Sequence, residues 1–351
     1  DHVTGDDLVG ARTPWNAAPG AKLTPQTPLV LNYTAPNGLV FTRTISMDDD
    51  FLFTIADSVQ NPGGTVVNVR PFSVVRRHDL PKDFVNNGIV HQGMVGVLGA
   101  DHILQESKYL DAKKFAEEKT QGKRQQESVL FQKEGPGGWL GISDHYGLTA
   151  LAPPQNEVIK ATFDASPREG YIDYRADYVG SSKQIAPGQS LAYSQHMFAG
   201  AKRVDLLQRY QKDLSVPDFD KAVEWGNFWF LTRIYFWLLD SLGKWAGNFG
   251  IGILLTTVIV KLAMFPLLNS SFASMAKMRK LQPQMKEIQE RYAADKQRQQ
   301  QEIIQLYQRE KVNPVAGCLP LLPQIPLLFA LYKVLTVTIE MRHAPFFGWI
   351  Q

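Results

Sequence analysis

The chain is 351 residues long, 44% apolar and 20% charged, with a formal net charge of +3. That length predicts about two domains, and the apolar content excludes a disordered or low-complexity chain. The single cysteine, Cys318, excludes an internal disulfide framework and a multi-cysteine metal cluster, and the small net charge argues against a dedicated nucleic-acid binder, so no DNA partner is expected.

The chain opens on Asp1-His2-Val3, without an initiator Met or signal peptide, and ends on Trp349-Ile350-Gln351 just past an apolar stretch. A processed or truncated chain is expected. Residues 1–215 are predicted to form one domain of β-strands. Short runs rich in Val, Phe, Ile, Tyr and Thr occur at 29–33, 39–45, 51–59, 65–75, 157–163, 171–178 and 191–198, with turn residues between them. Such spacing predicts an antiparallel sandwich rather than βαβ units. Asn61-Pro62-Gly63-Gly64, between two of the runs, reads as a hairpin turn. Helices are predicted at 107–119 and at 201–213, the second closed by Val216-Pro217-Asp218.

Little in this half points to chemistry. Ser143-Asp144-His145 holds the residue types of a hydrolytic triad, but neighbours in sequence point different ways, and an ordinary loop is expected. Residues 93–99 are glycine-rich without the GxGxxG order. Asp48-Asp49-Asp50 could bind a cation and reads better as a solvated turn. The seven histidines show no ligand spacing. No catalytic residue, cofactor or metal site is predicted, and the chain is not expected to be an enzyme.

The composition then changes. Residues 216–247 carry Trp225, Trp229, Trp237 and Trp245 among Phe228, Phe230, Tyr235 and Phe236, with sparse charges. Amphipathic rings suit the headgroup region of a bilayer, so an interfacial helix is predicted, the other reading being a buried soluble helix. Within 248–270, the stretch 249–268 contains one charge, Lys261, and is long enough to cross the hydrocarbon. A second span is predicted within 313–339, from 315 to 339, with Lys333 as its charge and Pro320, Pro323 and Pro326 kinking its first half. The last residues, 340–351, begin the following loop. Between the spans, 271–311 holds nine Lys/Arg against five Asp/Glu, while 1–213 holds 22 against 24. The basic loop is expected in the cytoplasm and the β domain and C-terminal end on the opposite side, which in a Gram-negative bacterium is the periplasm.

That loop, 271–312, is predicted to be a helical hairpin. Met278, Leu281, Met285, Ile288 and Tyr292 form a short heptad seam. A second helix begins near Gln299, with Ile303, Leu306 and Tyr307 on one side, and the turn falls near 293–296. Pro283 kinks the first helix or marks its start. The basic residues Lys277, Arg279, Lys280, Lys286, Arg291, Lys296 and Arg298 could contact ribosomal RNA, a targeting factor or lipid headgroups, or could only fix topology. Lys261 is the most informative single residue. A charge inside the membrane costs a few kcal/mol, so it should face water or a partner. Thr257 lies four residues earlier on the same helix face, with Thr256 beside it. A polar groove is one reading, and a lysine snorkelling to the surface is the other.

Four segments of the second half carry a resemblance. Met275-Ala276-Lys277-Met278-Arg279-Lys280-Leu281-Gln282-Pro283 resembles the start of the cytoplasmic loop in the YidC/Oxa family of membrane protein insertases. Lys311-Val312-Asn313-Pro314-Val315-Ala316-Gly317-Cys318-Leu319-Pro320 is similar to the entry of that family's next membrane helix, continued by Gln324-Ile325-Pro326-Leu327-Leu328-Phe329-Ala330-Leu331-Tyr332 and by Glu340-Met341-Arg342-His343-Ala344-Pro345-Phe346. Together they cover about residues 220–351. Gly137-Gly138-Trp139-Leu140-Gly141 and the β pattern resemble, less specifically, the large periplasmic β-supersandwich of bacterial members.

The resemblance implies a multidomain membrane protein: an all-β periplasmic supersandwich, then transmembrane helices with a cytoplasmic helical hairpin. It implies insertion and folding of nascent inner-membrane proteins, alone or with the Sec translocon, with the ribosome, the signal recognition receptor and membrane lipids as further partners. It implies a hydrophilic groove lined by Lys261, Thr257, Thr256 and Gln324, and a hairpin that receives substrate. The family usually carries Arg where this chain has Lys261, so the charge is kept and the planar fork of donors is lost. Family members also carry one helix before the β domain and three more after the second span. The rival expectation is a two-pass envelope sensor or scaffold whose β domain binds a periplasmic ligand.

Overall fold

The computed structural model describes residues 9–10, 13–82, 84–86, 88–123, 129–293, 295–310, 321–342 and 344–347. It divides into two compact units, residues 1–224 with 337–339, and residues 225–336 with 340–351.

The first unit is β-rich. Its strands begin with β1 (Asn16–Ala17), β2 (Leu29–Thr34), β3 (Val40–Met47), β4 (Leu52–Gln60), β5 (Val67–Val69), β6 (Phe72–His78), β7 (Gly93–Leu98) and β8 (Leu104–Lys108). Helix α1 (Tyr109–Thr120) follows. Then come β9 (Phe131–Pro136), β10 (Gly138–Ser143), β11 (Gly147–Ala152), β12 (Val158–Arg168), β13 (Tyr171–Gly180), β14 (Lys183–Ile185), β15 (Ser190–Ala201) and helix α2 (Val204–Asp213). Nine strands form one sheet in the order β1-β2-β3-β4-β15-β11-β10-β7-β8; four form a second, β6-β13-β12-β9; β14 and β5 make a two-stranded ribbon. Every pairing among these strands is antiparallel.

Alternation explains the four-stranded sheet. Ile159, Ala161, Phe163 and Ala165 of β12, and Tyr174, Ala176 and Tyr178 of β13, share one buried face with Met94, Leu140, Ile142 and Leu151, and α1 adds Tyr109, Ala112 and Ala116. β7 and β10 show no alternation because both are buried along their whole length. Their glycines let backbones approach: a Cβ at Gly141 would sit 2.0 Å from the Thr149 carbonyl oxygen, and one at Gly96 would sit 2.6 Å from that of Trp139. The glycine-rich run at 93–99 is therefore largely a packed strand.

Several expectations are corrected here. Asn61-Pro62-Gly63-Gly64 is no hairpin: β4 pairs with β3 and β15, whereas β5 pairs with β14. The buried Asn61 sets this path, its amide donating to the carbonyls of Thr65 (2.7 Å) and Ile185 (3.0 Å) while its Oδ1 accepts from Gly63 N–H (3.0 Å). The single run at 65–75 splits into β5 and β6 around Pro71, which has no N–H to give a ladder. Asp48-Asp49-Asp50 is not simply solvated. Asp48 Oδ1 accepts from the N–H of Asp50 (2.9 Å) and Leu52 (2.8 Å), its other oxygen accepts from Tyr210, and Asp50 accepts from Arg209 (2.6 Å), so the turn anchors α2. The unit also runs past 215, because Val216, Phe219, Ala222 and Val223 are buried. Trp139 Nε1 donates to the Pro217 carbonyl (3.1 Å), and its ring meets Phe219 edge-on.

The second unit holds α3 (Trp229–Ala246), α4 (Phe249–Arg291), α5 (Lys296–Arg309) and α6 (Leu321–Val337). Gly247 in the left-handed conformation ends α3, and Asn248 caps α4 by accepting from Ile251 N–H (3.1 Å). The two helices cross closely, since a Cβ at Gly252 would meet Gly243 N at 2.8 Å. Tyr235, Leu239, Ala330 and Val334 form the small core. α4 is one helix of 43 residues, with no break at 270 and with Pro266 and Pro283 inside it. Pro283 therefore does not mark a helix start. Among the described residues, α4 is the one helix long and apolar enough to cross a membrane; α6 has 17 residues. The first part of the predicted second span, with Cys318 and Pro320, lies outside the described residues.

Candidate functional site

Lys261 is placed by the helical repeat. It sits one turn beyond Thr257 on α4, and both line a cavity of about 130 Å³. Val260, Met264 and Leu268 complete the α4 wall, α6 contributes Gln324, Leu327, Leu328 and Leu331, and α3 contributes Tyr235. Lys261 is the one charged residue among these lining groups. Thr257 Oγ1 donates to the Ile253 carbonyl within its own helix (2.8 Å), leaving oxygen lone pairs for the cavity. Gln324 adds an amide with donors and an acceptor. The arrangement is a largely apolar slot to which Thr257, Gln324, Tyr235 and the cationic Lys261 bring polar groups.

Three of the four predicted groove residues therefore come together, and the fourth does not. Thr256 is 1% exposed and is not among the cavity's lining residues. It lies one turn beyond Gly252, on the side of α4 that packs against α3. Tyr235 and Met264 were missed by the sequence reading. Their apolar surroundings gave no signal separating a cavity wall from ordinary packing.

α3 is apolar on two sides. Tyr235 and Leu239 are buried, while Trp229, Phe230, Ile234 and Trp237 are half or more exposed, and Trp245 is 80% exposed. In water that aromatic face would be costly; in a headgroup layer it is favourable. Arg233 lies over the rings of Trp225 (5.5 Å) and Trp229 (5.8 Å), and Lys244 pairs with Asp240 (2.7 Å).

The hairpin forms from the second half of α4 and from α5. Met278, Leu281, Met285 and Ile288 of α4 and Tyr292 at its C-cap are shielded, with Leu281 at 6% exposure, and Leu306 of α5 is equally buried. Tyr307 OH lies 3.3 Å from Met285 Sδ, and Gln299 donates to the Gln289 carbonyl (2.9 Å). Asp295 caps α5 by accepting from Arg298 N–H (3.0 Å). Lys277, Arg279, Lys280, Lys286, Arg291 and Lys296 are all exposed. Arg298 is exposed too, with its guanidinium over the Tyr292 ring (5.5 Å).

The triad-like residues of the first unit are structural. Asp144 accepts from Tyr109 OH (2.9 Å) and Arg77 (2.6 Å), and the buried Lys202 donates to Ser143 Oγ (2.9 Å) and to the Asp144 carbonyl (2.7 Å). Ser143 is 1% exposed, out of reach of a substrate. Among the described residues no group of three His, Cys, Asp or Glu could hold a metal ion.

Two family descriptions match the chain: "YidC periplasmic domain" over residues 2–238 and "60Kd inner membrane protein" over residues 241–351. A membrane protein insertase YidC of Maricaulis maris is 44% identical over 346 residues, covering 98% of this chain and 56% of the relative. One from Brucella suis biovar 1 is also 44% identical, over 99% of this chain and 55% of the relative. The chain thus spans about half the length of the curated relatives it matches. A solved putative aldose 1-epimerase of Escherichia coli K12 is similar at 10% identity and a TM-score of 0.32, over 53% of this chain and 68% of that one, a likeness too loose to bear on fold or function. With both descriptions matched in succession and relatives this close, the chain belongs to the YidC family of membrane protein insertases.

Proposed function

We propose that this chain is the periplasmic domain and part of the intramembrane apparatus of an insertase that inserts and folds inner-membrane proteins, alone or with the Sec translocon. The first unit lies in the periplasm, α4 and α6 cross the inner membrane, α3 rests in the headgroup layer, and the α4–α5 hairpin faces the cytoplasm. The hairpin's basic residues meet the ribosome, a signal recognition receptor or anionic lipid. One observation carries the reading: a helix apolar enough for the bilayer places a lysine in a cavity shared with Thr257 and Gln324.

The mechanism needs no covalent step. A polar segment crossing hydrocarbon loses its hydrogen bonds to water, at a cost of several kcal/mol for each unsatisfied backbone group. Thr257, Gln324 and Lys261 replace part of that hydration at membrane depth. Lys261 also attracts acidic residues in the translocated flank. The hydrophobic segment that follows then partitions into lipid, where burial of apolar surface is favourable.

The test is a photo-crosslinker at Thr257 in the full-length protein, challenged with ribosome-bound chains of a small membrane protein. A crosslink confined to the stage at which the substrate's membrane segment emerges is expected. Its absence, with normal expression and a working control site elsewhere on α4, would return the chain to the sensor or scaffold reading.

A further inference from the structure

One buried polar group of the second unit is left over by the packing. Tyr235 of α3 is 5% exposed, and its ring is fixed in the small core with Leu239, Ala330 and Val334. Its hydroxyl makes no hydrogen bond among the described residues. A buried tyrosine usually finds a partner for that group, because a polar atom taken out of water without one destabilises the fold. The side chain reaches from α3 to the slot between α4 and α6, where it lines the cavity with Lys261, Thr257 and Gln324. The hydroxyl is the end farthest from α3, and so the part presented there.

The polar groups of this cavity form a donor-rich set. Lys261 brings three N–H donors and no acceptor, the Gln324 amide brings two donors, and Tyr235 brings one. Thr257 has already given its proton to the Ile253 carbonyl (2.8 Å) and can only accept. A site that offers more protons than lone pairs suits an acceptor-only group, which among protein side chains is the carboxylate of Asp or Glu. The donors also differ in rigidity. Lys261 and Gln324 are exposed, and the lysine ammonium is a point charge on a flexible four-carbon stem. Tyr235 has only two side-chain torsions, and its buried ring holds both. It is the preorganised donor of the set.

We propose that Tyr235 is a specificity-determining contact for the translocated segment: its hydroxyl donates to one oxygen of a substrate carboxylate whose other oxygen is held by the Lys261 ammonium. The lysine by itself attracts any negative charge over several ångströms, whereas a fixed hydroxyl answers only to an acceptor at hydrogen-bond distance and angle. Together they read the two oxygens of a carboxylate, which a mobile point charge does not impose alone. A flank without an acceptor leaves the hydroxyl unpaired in apolar surroundings, so the site selects against it rather than merely failing to attract it. This role for Tyr235 rests on the insertase reading and names the residue that turns attraction into selection.

The experiment uses the full-length protein in proteoliposomes and a single-span substrate in two forms, with glutamates or with alanines at the same positions of its translocated flank, scored by protease protection. Tyr235→Phe keeps the ring and its packing and removes only the hydroxyl. Insertion of the glutamate form is expected to fall about tenfold, and that of the alanine form to stay within about twofold. Lys261→Gln should also lower the glutamate form, and adding Tyr235→Phe to it should bring little further loss, because both groups hold one carboxylate. Losses that multiply in the double variant place the two groups on separate contacts and overturn the proposal. So does a Tyr235→Phe protein that leaves both forms unchanged, or one that slows both alike, the signature of a packing role. A loss that tracks the anionic-lipid content of the vesicles instead of the flank assigns the pair to a lipid headgroup and overturns it as well. If Lys261→Gln has no effect on the glutamate form, the charged-cavity reading itself fails; if Lys261→Gln is effective and Tyr235→Phe is not, only the role of Tyr235 fails.

Discussion

His91 should make the periplasmic unit sensitive to acid. Its side chain is 4% exposed, with Nε2–H donating to the Met94 carbonyl (3.0 Å). The unprotonated Nδ1 has no hydrogen-bond partner, the nearest carboxylate oxygen of Glu106 being 3.8 Å away. Burial lowers the pKa from 6.5 to about 4, opposed by the Met94 carbonyl and the Glu224 charge. The sign follows from linkage. As pH falls through 6.5 the unfolded chain takes up a proton that the folded chain refuses until about pH 4. Stability is full above 6.5 and declines between those values, by about 2–3 kcal/mol from pH 7 to pH 4.5. His91→Gln keeps a donor for Met94 and removes the titration. Urea unfolding of the β domain, followed by circular dichroism in nanodiscs across that range, should give a flatter pH curve for the variant by that amount. Asp177, whose pKa burial raises, acts in the opposite sense and cancels in the comparison. Parallel curves for the two proteins would refute the reasoning.

Three further outcomes are expected. Gly141→Ala drives a Cβ into the Thr149 carbonyl at 2.0 Å and should destabilise the β domain by about 2 kcal/mol or more in the same urea assay; a smaller loss would mean the strands can separate. Leu306→Ala removes the buried α5 side chain of the hairpin and should cost about 2–3 kcal/mol locally, seen as faster hydrogen exchange across α5 with α3 unchanged. Lys261→Glu in the full-length protein should reduce insertion of substrates with acidic translocated flanks by tenfold or more, scored by protease protection; unchanged insertion at equal protein levels would remove Lys261 from the mechanism.

Some of this was legible in the sequence and some was not, for reasons that differ by residue. Strands such as β2, β3 and β15 could be read because a half-buried strand repeats every two residues. Their order could not. β4 lies beside β15 through pairs such as Ile55 with Gln195, and no local signal encodes a partner that distant. Asn61 misled because its turn chemistry is local while its buried amide answers to Ile185, 124 residues away. Thr257 and Lys261 were linked by a spacing of four. Thr256 could not be separated from Thr257, because neighbouring helical residues differ by a rotation that only the packing of Gly252 against α3 resolves. Gln324 came from resemblance, since a glutamine in an apolar helix does not say what it faces. The change of composition at 270 looked like an end of the helix and was only an end of its apolar surface.

The unbroken α4 has a mechanical consequence. At 43 residues it is a rod of roughly 65 Å, with Lys261 and the hairpin seam at Leu281 about 30 Å apart on one stiff element. Its weak points are Pro266 and Pro283, which withdraw the N–H owed to the carbonyls of Leu262 and Arg279. Pro266 lies between Lys261 and the hairpin, so it acts as a fulcrum. A tilt of about 10° there swings Leu281 by about 4 Å. A load on the hairpin then becomes a torque at the cavity wall, and spin-label distances from α5 to α6 should report it, with Pro266→Ala stiffening the lever and narrowing their spread.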